Sequence, residues 1–133
     1  MAGRYRTSST VTQSDIVRQL KGSLLPNVGG SLVDMVNGIK IASNNSKNAT
    51  YGGAFSLSSV KNEIDNLQPF IIRMQWNSGG GHAIVCAGYT GTGRVYCIDP
   101  WASTQNTTYS LSALLNGTSI LTGNGYYSHT IYY

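Results

Sequence analysis

Residues 68–101, QPFIIRMQWNSGGGHAIVCAGYTGTGRVYCIDPW, decide the fold. Apolar and β-branched runs alternate here with glycine-rich breaks, which predicts three successive strands over 70–76, 82–89 and 94–98. Asn77-Ser78-Gly79-Gly80-Gly81 ends the first strand, and Thr90-Gly91-Thr92-Gly93 joins the second to the third. A glycine at the first central position suits the primed two-residue turns that hairpins prefer. With Gly91 and Thr92 at the turn centre, Ile84 falls opposite Asp99, Cys86 opposite Cys97 and His82 opposite Trp101. His82 and Asp99 are then diagonal neighbours on one face, roughly 5–8 Å apart at Cβ. A slip of two residues places them directly opposite, and in either register the imidazole reaches the carboxylate.

A carboxylate beside an imidazole fixes the histidine tautomer and stabilises the imidazolium formed when histidine takes a proton from a nucleophile. The bland reading of the same residues is a strand-end hydrogen bond and a turn-forming aspartate before Pro100. Gln75 and Trp76 end their strand beside the loop before His82, where they line a substrate groove or cap the core. Arg73 lines a rim and takes a substrate carboxylate, or simply reaches solvent with its apolar stem packed.

The segment Gly81-His82-Ala83-Ile84-Val85 after a polar glycine-rich loop, followed by a hairpin into Ile98-Asp99-Pro100-Trp101, resembles the histidine and Asp/Asn strands of papain-like cysteine peptidases. It is most similar to the small bacterial branch that includes bacteriocin-processing double-glycine peptidases, staphopain-like enzymes and plant-pathogen effector proteases. The similarity spans about residues 12–101. It implies His82 as general base and partner of a thiolate, Asp99 as the residue that orients it, and Trp101 as the aromatic that shields their hydrogen bond. It also implies a nucleophilic cysteine on a helix at the start of the domain, with a glutamine just before it. This sequence has no cysteine before Cys86. Residues 1–6 resemble the tail of that helix, so the nucleophile is expected to have been truncated, cleaved off onto another chain, or lost.

Neither cysteine present is a good substitute. Cys86 lies four residues along the strand from His82, roughly 13 Å at ~3.3 Å per residue. Cys97 shares a face with Asp99 but lies deeper along its strand. Cysteines in apolar strands normally act as small hydrophobes. The facing register allows a Cys86–Cys97 disulfide or two thiols packed side by side.

The 133 residues suffice for one domain, taken as 1–133, with a real core. Apolar residues make up 41% and charged residues 11%, which argues against disorder. The net charge of +4 is spread over isolated Lys and Arg, so no phosphate-tracking stripe exists and nucleic acid is not an expected partner. No apolar run approaches the ~18 residues needed to span a bilayer. Arg4 and Arg6 are followed by Ser and Thr, unlike a signal peptide. No CxxC, HExxH or Walker-type loop is present, so neither a metal nor another cofactor is expected.

Along the chain, Thr12 or Ser14 caps a helix ending at Lys21-Gly22, and Ser31 caps a second over 32–39. Residues 44–53 read as an exposed loop or an irregular edge leading to a short strand near 54–57. Ser58 caps a third helix through Asn66, with Val60, Ile64 and Leu67 inward and Glu63 and Asp65 outward. After a turn over 102–107 come a short strand at 108–111, a helical turn at 112–115 and a tyrosine-rich strand, 125–133, at a sheet edge, in which His129 is structural. The expected class is α+β, papain-like, with N-terminal helices followed by a mainly antiparallel sheet. The central strands are apolar on both faces and are expected to be covered on both.

The expected function is therefore a cysteine-peptidase-like domain acting on a peptide or protein through a Cys-His-Asp triad whose cysteine is not in this chain. A bacterial effector, toxin or secreted protease, secreted or delivered into a target cell, fits the resemblance. The alternative is a catalytically dead peptidase-fold module that binds a peptide or partner protein. A groove lacking its packing helix leaves an apolar patch, expected to be covered by a second copy or by a separate N-terminal fragment.

Overall fold

The computed structural model describes residues 9–23, 29–101 and 106–133. The expectations for residues 1–6, for part of the loop after the first helix and for most of the turn after Trp101 lie outside them. The chain divides into two compact units, Met1–Tyr51 with Ile131–Tyr133, and Gly52–Thr130.

The first unit contains α1 (Gln13–Lys21) and α2 (Leu32–Ala42). Thr12 and Asp15 form a reciprocal capping box at the start of α1, and Ser31 and Asp34 form another at α2, each satisfying two N-terminal donors. Gly22 closes α1 in the left-handed conformation, as the sequence predicts. Ile16 and Leu20 of α1 lie against Gly38, where a Cβ would meet their methyl groups at 3.6 and 3.9 Å. Lys21 and Asp34 tie the pair at 2.6 Å. α2 runs three residues beyond the expected end at Ile39. Its stop comes from Asn44 and Asn45, both at positive φ, a conformation asparagine tolerates better than most residues.

The second unit holds α3 (Leu57–Asp65), β2 (Phe70–Trp76), β3 (Gly81–Tyr89), β4 (Arg94–Ile98), β5 (Asn106–Ser110), α4 (Leu111–Asn116) and β6 (Thr118–Ile120). With β1 (Thr50–Gly53) and β7 (Gly123–Tyr132), the strands form one sheet in the order β1-β7-β2-β3-β4-β5, with β6 paired on β7. The pairs β2–β3, β3–β4, β4–β5 and β6–β7 are antiparallel. Helices with a mainly antiparallel sheet make the fold α+β.

Several expectations are corrected. The strand expected at 54–57 is β1, four residues earlier, because the Ser56 hydroxyl accepts from the Ser59 amide and starts α3 at Leu57. Ser56 is thus the cap in place of Ser58, and Phe55 packs edge-on against Phe70 at 5.2 Å. Leu67 does not face inward; it sits just past α3 at φ 59 and is 53% exposed. Glu63 is not simply outward. One of its carboxylate oxygens is buried without a partner among the described residues, and burial pushes its carboxyl above the ordinary range. The tyrosine-rich strand is no edge: β7 lies between β1 and β2. Its inward residues, Tyr127 and Ile131, are buried.

The central strands are buried mainly on one face. Phe70, Ile72 and Met74 of β2, Ile84 and Cys86 of β3, and Val95 and Cys97 of β4 are solvent-excluded, while Ile71, Arg73, Ala83, Val85, Tyr96 and Ile98 on the other face are half-buried. Each large apolar side chain so buried contributes roughly 1.5–3 kcal/mol. The register aligns Phe70 with Cys86, Ile72 with Ile84 and Met74 with His82, so His82 is the last member of a core row. Among the described residues, no helix is long and apolar enough to cross a membrane.

The β3–β4 hairpin differs from expectation in an instructive way. The Gly93 amide bonds the Thr90 carbonyl, so Gly91 and Thr92 are the central residues. The positive φ falls on Gly93, however, and not on Gly91. The connection is therefore an ordinary turn closed by a left-handed glycine, the three-residue hairpin. That geometry shifts the register by one, pairing Tyr89 with Val95 and Gly88 with Tyr96. A bulge at Ala87 shifts it back, so Cys86 faces Cys97 and Val85 faces Ile98.

Candidate active site

His82 enters β3 directly after the glycine loop, and Asp99 follows the last residue of β4. The two strand ends bring His82 Nε2 to 2.8 Å from Asp99 Oδ1. Both groups are almost fully buried, at 6% and 1% exposure. Burying a polar group without a partner is costly, and removing one member of a buried charge pair typically costs about 3–5 kcal/mol. The site meets that cost with donors. The Trp101 amide donates to Asp99 Oδ1 at 2.9 Å and the Thr122 hydroxyl donates to Oδ2 at 2.7 Å. Burial works to raise the Asp99 carboxyl, but the hydrogen bonds from Thr122, His82 and Trp101 outweigh it and hold the group below the ordinary carboxylate range.

An ionised Asp99 only accepts, so Nε2 carries the proton and donates to it. In the neutral imidazole this leaves Nδ1 as the ring nitrogen with a lone pair. Two indoles flank the ring. Trp76 stacks on it at 5.6 Å and 14°, and Trp101 leans over it at 4.5 Å and 33°. Trp101 is 73% exposed and forms an outer wall. Trp76 finds room because β7 presents glycine to it; a Cβ on Gly123 would lie 3.1 Å from the indole.

The structure thus brings together four of the residues singled out in the sequence: His82, Asp99, Trp101 and Trp76. Gln75 is placed elsewhere. Its neighbours are Arg73 Nη1, which donates to Oε1 at 2.9 Å, and the Gly80 carbonyl, which accepts from Nε2 at 2.8 Å. Arg73 also donates to the Ser128 hydroxyl at 3.0 Å. Cys86 and Cys97 are free thiols, register partners, and wholly buried. The neighbouring Cys86 and burial push the Cys97 thiol up, which makes it a poor source of thiolate. His129 has its Nδ1 buried without a partner among the described residues.

Thr122 was not legible in the sequence. It stands 23 residues from Asp99, in the β6–β7 turn, and no local pattern links the two.

The depressed carboxyl has a consequence for stability. Above the unfolded value, about 3.9, both states are ionised and the Asp99 contribution is fully present. As pH falls through that range toward the folded value, the unfolded chain takes up a proton first and the contribution is lost. Asp15 and Asp34 are depressed as well, by hydrogen bonds from Thr12 and Lys21 respectively, and share the direction. Urea titrations at a series of pH values should therefore show stability falling below about pH 5, with a shallower fall in Asp99→Asn.

No curated protein matches the chain. A family model, described as the Peptidase_C39-like family, matches residues 1–122. That match takes in both strands of the His82–Asp99 pair and the turn that carries Thr122, and it makes this cysteine-peptidase-like chain a member of the Peptidase_C39-like family.

Proposed function

We propose that the chain carries the general-base half of a papain-like cysteine peptidase, with the nucleophilic thiol supplied from outside the sequence in hand. The buried His82–Asp99 pair is the observation that supports this reading. Nδ1 of His82 takes the thiol proton. The thiolate attacks the peptide carbonyl carbon, and the collapsing tetrahedral adduct breaks the C–N bond as Nδ1–H protonates the departing amine. Water then attacks the thioester, with Nδ1 taking its proton, and the thiol leaves with that proton. Asp99 stabilises the imidazolium throughout. Trp101 and Trp76 keep water from competing for the His82–Asp99 hydrogen bond. Deployment as a bacterial effector, toxin or secreted protease belongs to the same proposal and rests on the resemblance alone, as does a second copy or a separate N-terminal segment covering the groove.

The seclusion of both cysteines favours a second reading, a peptidase-fold module that binds peptide without cleaving it. The experiment compares the chain alone with the chain joined at its N-terminus to a cysteine-bearing helix from a Peptidase_C39-like protein. Inhibitor labelling at the added thiol and peptide hydrolysis are expected only in the joined protein. Peptide binding in both forms with labelling and hydrolysis in neither would replace the peptidase reading with the second.

A further inference from the structure

The β6–β7 hairpin has an unsuitable turn for its length. Ile120 pairs with Gly123, so Leu121 and Thr122 alone make the connection. Two-residue hairpins favour Asn-Gly or a similar pair in primed turns, where at least the first central residue has positive φ. Neither Leu121 nor Thr122 does. Leucine is 53% exposed there and gains little from burial. Hairpin geometry does not explain this pair; what the turn touches does. The Leu121 amide donates to the Tyr109 hydroxyl of β5 at 3.1 Å, and the Thr122 hydroxyl donates to Asp99 Oδ2 at 2.7 Å. Gly123, next in sequence, backs onto the Trp76 indole.

We propose that Thr122 is a positioning residue for the His82–Asp99 pair, and that the Leu121–Thr122 turn, latched to Tyr109, exists to hold its hydroxyl on Asp99. The inference rests on the peptidase reading for its catalytic meaning, but its geometry stands without it. The last torsion of an aspartate side chain is broad, so bonds to both oxygens define the carboxylate plane better than bonds to one. His82 and the Trp101 amide converge on Oδ1. Thr122 holds Oδ2, which fixes the carboxylate plane and keeps Oδ1 aimed at Nε2. The same bond stabilises the ionised form, so it keeps Asp99 charged at pH values where a buried carboxyl would take a proton. A threonine suits this role because its hydroxyl donates to a carboxylate and its β-branch restricts χ1.

The titratable groups around Asp99 are His82 on β3, Cys97 on its own strand and Tyr109 on β5. Cys97 and Tyr109 are both raised, chiefly by the Cys86 hydrogen bond and by burial respectively, with the Asp99 charge adding to each. Neither ionises where Asp99 does, so the acid-range change followed at the side-chain carboxyl carbon belongs to Asp99.

The test is an NMR pH titration of the chain as it stands, following the Asp99 side-chain carboxyl carbon and the His82 ring nitrogens. In Thr122→Val the Asp99 midpoint is expected to rise by about one pH unit, roughly tenfold in proton affinity, with the His82 ring signals altered. Thr122→Ser is expected to restore both. An unmoved Asp99 midpoint in Thr122→Val, or the same shift in Thr122→Ser, would overturn the proposal. Should Thr122→Val fail to fold, the unaltered chain still decides: a slowly exchanging Thr122 hydroxyl proton should vanish in step with Asp99 protonation, and its absence at neutral pH overturns the assignment. No step needs a thiol nucleophile, so a failed peptidase reading would leave these outcomes untouched.

Discussion

Gly125→Ala is expected to cost about 3 kcal/mol or more, beyond the usual range for an added methyl in a packed core. A Cβ at Gly125 would fall on the Gln75 carbonyl oxygen, with the Gln75 carbonyl carbon at 2.9 Å and the Trp76 ring at 3.0 Å. These are mainly backbone atoms of β2, in the interior of the sheet, so no rotamer change relieves the contact. Relief requires moving β7 away from β2, and Trp76 would move with it. Gly91→Ala is the control, because a Cβ there meets nothing within 4 Å. The check is the urea midpoint of each variant at neutral pH, together with Trp fluorescence. A Gly125→Ala midpoint equal to that of the unaltered chain would contradict the packing described for β2 and β7.

The second large effect concerns chemistry. In the protein joined to a cysteine-bearing helix, His82→Ala is expected to lower kcat/KM by about 10³-fold, within the range usual for loss of a positioned acid–base group. An ordinary thiol with a pKa near 8.5 is only a few per cent thiolate at pH 7, and the departing amine would lose its proton donor as well. Asp99→Asn should cost less, because the amide oxygen still accepts from Nε2 while losing the charge that steadies the imidazolium. Steady-state hydrolysis of one peptide substrate across a pH series checks both. Equal losses in the two variants would mean that Asp99 acts through its charge alone. An unchanged rate in His82→Ala would remove the histidine from the mechanism.

The strands that carry the dyad were legible because their signals are local. Alternation over 70–76 and 94–98 gives β2 and β4 their observed bounds, and the glycine run before His82 starts β3 within one residue. The Cys86–Cys97 register agrees with expectation but arises by a different route, since the Gly93 conformation and the Ala87 bulge cancel. The features that escaped are long-range. Whether 125–133 forms an edge depends on which strands flank it, and periodicity carries no such information. Thr122 reaches Asp99 only after β5, α4 and β6 have closed the chain back on itself. The placement of Ser56 as cap was a choice between neighbouring serines, Ser56, Ser58 and Ser59, that compete for the same role.

The cancelling pair in the β3–β4 hairpin offers a handle for engineering. Gly91 and Thr92 form an exposed tip, and the bulge at Ala87 lies between that tip and the strand ends that hold His82 and Asp99. A fluorophore or short epitope inserted between Gly91 and Thr92 would report on the molecule without touching the dyad. Any small misalignment it introduced would be absorbed at Ala87 before reaching Cys86, making this loop a natural attachment point for tracking the protein in a mixture or on a surface.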